Sequence, residues 1–451
     1  MTVVDINEAL HSKSNNYIVK NYCGLSLIKY NKQMLTDDNI STLGLFRSII
    51  TDGKKILSFA PPKSRNYNHF IVQNEFDKCH ITEFVDGTMI NVFYNTSNLN
   101  KNGKNQPKWE IATRSNIGAN CRFNLNSKKT FREMFYDACV PKGEDFTDFF
   151  NKLNKKYSYS FVLQHPENRI VHKITTPQLY LTNVYEMNET TVNEISIWDN
   201  KEAYLISDHI KVPRNISELY PSVNNWEYIN LLCSGQQTSF DLQGFVIEND
   251  KNERTKVRNI EYEKIKRMRG NSPKLQYQFL ELYKKNKVKE YLSYFPEHKE
   301  LFAQFQRDFY KWTETFYHHY IDCFIEKKKY LRDCQFEFKP LLYFLQKHYL
   351  MDLKPNNKKV NFTYLKQYVK GIPTEKIMFS INYNHRVNNN VNNNTNKLHY
   401  LKQTEVNPDE IYWSNDAIRE RGYDPRTGKK LVDDEEEKKT DNSSIGLEIT
   451  E

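Results

Sequence analysis

Glu83-Phe84-Val85-Asp86-Gly87-Thr88-Met89-Ile90 is the stretch whose reading decides the first half of the chain. Asp86-Gly87-Thr88 is a turn signal: the aspartate can bond its own backbone, and the glycine tolerates tight geometry. From Phe84 to Tyr94 the pattern alternates around Met89, Asn91, Val92 and Phe93, which predicts a strand leaving the turn. Upstream, Ser41 to Phe59 gives apolar runs broken by Asp52-Gly53, a hairpin signal. Downstream, Trp109 to Arg114 predicts a short strand after a turn at Gly103, and Lys128 to Ala138 predicts a helix. Tyr157 to Leu163, Gln178 to Tyr185 and Gly244-Phe245-Val246-Ile247 predict further strands.

After Arg269 the period changes. Phe302, Phe305, Phe309, Trp312, Phe316, Tyr320 and Phe324 recur at three- and four-residue steps, one face of a single long helix and a packed core stripe. Asn388 to Asn396 is an asparagine-rich tract with little to bury, and Asn407 to Glu451 carries a small apolar cluster, Ile411-Tyr412-Trp413, before an acidic end. The expected class is α+β. Residues 1–270 form a domain of antiparallel sheets, 271–385 an all-helical domain, and 386–451 an Asn-rich linker and flexible acidic tail.

The 451 residues allow two or three cores. No apolar run is long enough to span a bilayer, and the first ten residues, with Asp5 and Glu8, have no signal-peptide core. The expectation is a protein without a membrane partner that stays where it is made, in the cytoplasm, a viral factory or a virion. Seven scattered cysteines, none in a CxxC pair or with zinc spacing, read as reduced thiols and argue against structural zinc. The net charge of +9 is unevenly spread: Lys251 to Glu290 holds 13 Lys/Arg against 5 Asp/Glu, while Val432 to Glu451 holds 8 acids against 2 lysines. A concentrated basic stretch attracts polyphosphates such as RNA; the alternative is a solvated helix face.

Seven segments in order resemble the T4 RNA ligase 1 family of covalent nucleotidyltransferases, in texture the RNA-ligase-like proteins of large DNA viruses. They are Leu45-Phe46-Arg47-Ser48-Ile49-Ile50, Phe59-Ala60-Pro61-Pro62-Lys63, Phe84 to Thr88, Trp109 to Ser115, Phe161 to Val171, Gln243 to Ile247 and Lys256-Val257-Arg258. The resemblance covers about residues 40–270. It implies a nucleotidyltransferase fold, of antiparallel ATP-grasp-like sheets, in which Arg47, Lys63, Phe84, Asp86, Arg114, Gln243, Lys256 and Arg258 stand at the nucleotide- and phosphate-binding positions. In that family a lysine in a Lys-x-Asp-Gly frame attacks the α-phosphorus of a nucleotide. Here that position is Phe84, and a benzyl group is no nucleophile. A family carboxylate is Val162 and the glutamate of the fourth motif is Gln243, neither an anionic ligand for magnesium. Lys78, eight residues before Asp86, would lie over about 20 Å away along an extended segment, too far to substitute.

The resemblance with these departures implies a degenerate RNA-ligase-like protein with no catalytic residue, no cofactor and no metal. It would bind RNA, at a 5′ end or cap, or act in an RNA-processing or translation complex. Two alternatives stand beside it: an active ATP- and magnesium-dependent RNA ligase with non-standard residues, and a non-enzymatic scaffold. Arg169, Lys264, Lys266, Arg267 and Arg269 are the RNA-contact candidates, the last four interleaved with aromatics such as Tyr262 and Tyr277. Phe84 either stacks on a base or seals the pocket. His165 reads as a structural histidine. Tyr277-x4-Leu282-Tyr283 matches a loose pattern of helices that dock on cap-binding factors, or is core; the tail is the other candidate protein-binding segment.

Overall fold

The computed structural model describes residues 2–383 apart from 12–13, 23, 98–106, 125–126, 141–144, 199–208, 237 and 273. The turn expected at Gly103, the asparagine-rich tract and the whole C-terminal tail lie outside the described residues.

Three antiparallel sheets organise the first part. β2 (Tyr17–Tyr22), β3 (Leu25–Tyr30), β4 (Ile49–Thr51) and β5 (Ile56–Phe59) form one, in sequence order. Its β4–β5 hairpin turns at Asp52-Gly53, with Gly53 at φ +89° and Asp52 accepting from the amides of Lys54 and Lys55. The largest sheet uses β1 (Thr2–Val3), β7 (Thr88–Asn95), β8 (Lys108–Thr113), β9 (Asn116–Ile117), β10 (Tyr157–Gln164), β11 (Gln178–Asn188) and β12 (Thr191–Ile195). Its order is β1-β12-β11-β10-β7-β8-β9. The third sheet is β6 (Cys79–Glu83), β13 (Gly244–Asn249) and β14 (Arg254–Arg258), with β13 in the middle.

The large sheet is covered on both faces. Ile90, Val92 and Phe161 pack on one side against Met134 and Phe135 of helix α1 (Phe131–Cys139). Phe93 and Ala112 on the other side pack against Leu27, Ile50 and Leu57 of the first sheet. Burial on both faces is why β7 reads as a nearly continuous buried run. Helix α1 starts three residues later than expected. The amides of Lys128 and Lys129 are taken by the Glu167 carboxylate, and Thr130 and Glu133 close a capping box.

The remainder is helical: α2 (Ile260–Arg269), α3 (Leu275–Lys284), α4 (Val288–Tyr294), α5 (Lys299–Tyr320), α6 (Lys339–His348), α7 (Phe362–Tyr368) and α8 (Thr374–Ile381). The aromatic stripe is α5: Phe302, Phe309, Trp312, Phe316 and Tyr320 are buried, and Trp312 donates to Ser380 Oγ on α8 at 2.8 Å. Beyond Tyr320 the chain widens into a π-turn, Ile321–Ile325, so Phe324 leaves the regular face. Tyr262, Ile265 and Met268 of α2 share this helical core, although α2 follows β14 with only Asn259 between. Leu282 is buried in the same core and Tyr277 donates to Glu375, so neither is presented to a partner. Among the described residues no helix is long and apolar enough to cross a membrane.

Candidate functional site

The Asp86-Gly87 turn is wedged between two sheets. A Cβ on Gly87 would stand 2.5 Å from Leu163 O and 2.6 Å from Val162 Cγ1, so only glycine fits. Gly244, at φ +136°, is held against β14 in the same way: a Cβ there would meet Val257 O at 2.1 Å. Phe84 N donates to Gly244 O at 2.9 Å, which fixes the start of the turn on β13.

The 161–171 segment latches this turn. Gln164 Nε2 donates to Asp86 O, Asn168 bonds Thr88 Oγ1, and the amides of Val171 and His172 donate to Asp86 Oδ2 at 3.2 and 3.1 Å. Tyr262 OH reaches Asp86 Oδ1 at 2.8 Å. Both carboxylate oxygens of the buried Asp86 are thus engaged. His165 is structural: Nδ1 accepts from Glu167 N, and Nε2 lies 3.1 Å from Asp137. Burial lowers its pKa.

A cleft of about 970 Å³ opens beside the turn. Seven of the residues expected to grip phosphate or RNA line it together: Arg47, Lys63, Arg114, Lys256, Arg258, Lys264 and Arg267. Lys32 and Arg65 join them, and among the described residues Glu263 is the one carboxylate in the lining. Arg258 pairs with Glu263 at 3.1 Å, Arg65 with Glu253 at 2.5 Å and Lys264 with Glu261 at 3.5 Å. Arg47 donates to Pro61 O, and Lys63 to Ser64 O. Uncharged oxygens therefore hold these two without neutralising them. The buried Ser64 hydroxyl and the Tyr67 hydroxyl, both from residues of the lining, have no partner among the described residues.

Crowding of like charge shows in the titration. Burial and then Arg254 and Arg114 lower Arg47 to about 10. Burial, Arg47 and Arg258 lower Lys63. Lys256 is lowered furthest, to about 6, by burial and then Arg47, Arg254, Arg258 and Lys63. Its ammonium therefore gives up a proton far more readily than an ordinary lysine's. A bound polyanion would relieve the like-charge repulsion that adds to burial in each shift.

Behind the cleft lies a narrower cavity of about 240 Å³. Phe84, Val162 and Gln243, the three departures from the family pattern, all line it. Lys256 Nζ sits 5.2 Å and Arg258 Cζ 5.7 Å from the centroid of the Phe84 ring, within cation–π range. Gln243 is buried and its Oε1 has no partner among the described residues. A divalent ion does not fit the donors present. Asp86 is spent on three donors, Glu83 is bound by Arg214, and Glu248 stands 3.6 Å from Arg254. Burial and then Glu248 raise the pKa of the neighbouring Glu194 to about 7.

The other expected residues stand elsewhere. Arg169 is bonded to Glu297 at 2.7 Å and to Tyr294 O, and lies 4.7 Å from the Phe295 ring. Arg269 lies over Phe123 at 4.5 Å. Both face a separate cavity of about 440 Å³ between the sheets and the helices. Lys266 lines the inner cavity, tied to Glu263 and lying over the Tyr262 ring. Lys78 is paired with Glu75 and lines neither the cleft nor the inner cavity. Sequence reasoning missed Lys32, Arg65, Ser64 and Tyr67. Arg65 had a signal, being two residues past Lys63 in an extended segment; Lys32 had none.

No family model matches the chain, and no curated protein matches it. Solved structures that it is similar to include an alanine mutant of Naegleria gruberi RNA ligase with ATP and Mn, at 13% identity and TM-score 0.32, covering 45% of this chain and 57% of that one. An archaeal ATP-dependent RNA ligase, form 1, gives 13% identity and TM-score 0.34, covering 64% and 67%. A putative ATP-dependent DNA ligase from Aquifex aeolicus gives 14% and 0.35, covering 77% and 80%.

Proposed function

We propose that this chain is an RNA-ligase-like protein of the T4 RNA ligase 1 type that holds the polyphosphate end of an RNA in its basic cleft. The carrying observation is the convergence of Arg47, Lys63, Arg114, Lys256, Arg258, Lys264 and Arg267 on one cleft with a single carboxylate in its wall. Such a surface repels itself in the free protein, and an anionic ligand would compensate the charges that no carboxylate pairs. Lys264 and Arg267 on α2 add the charge of a helix to that of the strands. The motif order supports the fold assignment, and Phe84 in place of a lysine separates this protein from a standard ligase.

The test is equilibrium binding of short RNAs with 5′-triphosphate, 5′-monophosphate or 5′-hydroxyl ends across a salt series. The expected order of affinity is triphosphate, monophosphate, hydroxyl, with a steep salt dependence. Equal affinity for the three ends would remove the end-binding reading. Affinity that ignores salt would remove RNA binding and leave the scaffold reading.

A further inference from the structure

We propose that Lys256 supplies the amine that position 84 lacks: its Nζ attacks the α-phosphorus of a nucleoside triphosphate held in the basic cleft, leaving a lysyl phosphoramidate and pyrophosphate. This rests on the cleft holding a polyphosphate. Among the described residues three cations line both the outer cleft and the inner cavity: Arg47, Lys256 and Arg258. They mark the passage between the two spaces. An arginine there stays protonated and cannot attack. Lys256 is the one amine of the three.

Other lysines are excluded by place or partner. Lys63 faces the outer cleft alone and donates to Ser64 O. Lys266 faces the inner cavity alone and is tied to Glu263. Lys256 instead stands 5.2 Å from the ring at the position of the missing nucleophile, with no carboxylate within salt-bridge distance among the described residues. Burial and then the surrounding cations lower its pKa, which brings it nearer the free amine that a nucleophile needs. The inner cavity sets the apolar walls Met89, Val162 and Trp198 beside five cationic side chains, Arg254 and Lys266 among them.

In the step, the Nζ–P bond forms as the bond from the α-phosphorus to the bridging oxygen breaks. The electron pair leaves with pyrophosphate, whose charge falls to Arg47, Lys63 and Arg114. The amine releases its proton to solvent. In this step the amine comes from β14 rather than from the loop after β6.

The experiment incubates the full chain with ATP or GTP labelled at the α- or the γ-phosphate, with and without magnesium. Protein is then resolved on a denaturing gel and labelled peptides are mapped by mass spectrometry. In parallel, the same triphosphates compete against a fluorescent 5′-triphosphate RNA. The expected result is acid-labile label from the α-phosphate only, on Lys256. Lys256→Arg should lower it by about 1,000-fold or more while leaving a folded protein by thermal melt. Lys78→Ala, at an exposed pair outside the cleft, should keep it. Competition without label, or label on another residue, overturns the proposal and leaves the binding reading standing. Absence of competition overturns both.

Discussion

The cleft and the seam between sheets and helices are built from the same residue types and end in opposite states. In the seam, Arg169 meets Glu297, a carbonyl and an aromatic ring, and Asp86 accepts from two amides and a tyrosine. In the cleft, Arg47, Lys63, Arg114 and Lys256 face one another across open space. A buried charge with full partners holds structure and has nothing left for a ligand. A charge crowded by its own sign strains the free protein and is available. Charge content alone does not tell the two apart; partner chemistry does.

That contrast can be broken at graded cost. Asp86→Ala should be the most damaging change, leaving three donors inside the protein unsatisfied and costing about 3–5 kcal/mol, read by denaturant unfolding. An unfolding midpoint unchanged by it would show the seam is not the fastening described here. Gly87→Ala should follow at about 1–3 kcal/mol, because the new methyl meets the Leu163 carbonyl, which belongs to β10 and cannot move away. Lys63→Ala and Arg114→Ala should behave oppositely. Stability should stay within about 0.5 kcal/mol of the parent, while the slope of log affinity for RNA against log salt falls by about 1 for each. A loss of stability without a change in slope would place these residues with the seam.

A pH dependence sharpens the same contrast. Lys256 titrates near 6 when folded and at its usual 10.5 when unfolded, so the unfolded chain binds more protons throughout that window. Its contribution is therefore fully present above 10.5 and lost as pH falls toward 6. The groups that face it are Arg47, Arg254, Arg258 and Lys63, with Glu248, Glu263 and Asp86 as the nearby acids. Lys256→Met should flatten the rise in stability between pH 7 and 9; an identical slope in parent and variant would contradict the shift.

Much of the scaffold was legible because it is periodic. The α5 stripe follows 3.6 residues per turn, and the β4–β5 hairpin is announced by Asp52-Gly53. The fates of individual charges were not legible, because their partners are distant in sequence. Asp86 is claimed by residues 85, 86 and 176 positions away, and Arg169 by one 128 positions away. Two residues of one helix, Lys264 and Lys266, diverge because a step of two rotates a side chain by about 200°: one lines the cleft and the other the inner cavity. The shift on Lys256 comes from burial and then from four cations on three separate segments, a sum that no local pattern displays.

Asn259 is the whole connection between the strand that carries Lys256 and Arg258 and the helix whose buried face belongs to the aromatic core. Its side chain caps the helix through Glu261 N and is pinned by bonds to Thr238 and Ser239. A joint one residue long, clamped on both sides, has no slack. The helix that enters the aromatic core and the strand that carries both cations are thus set in place by one residue.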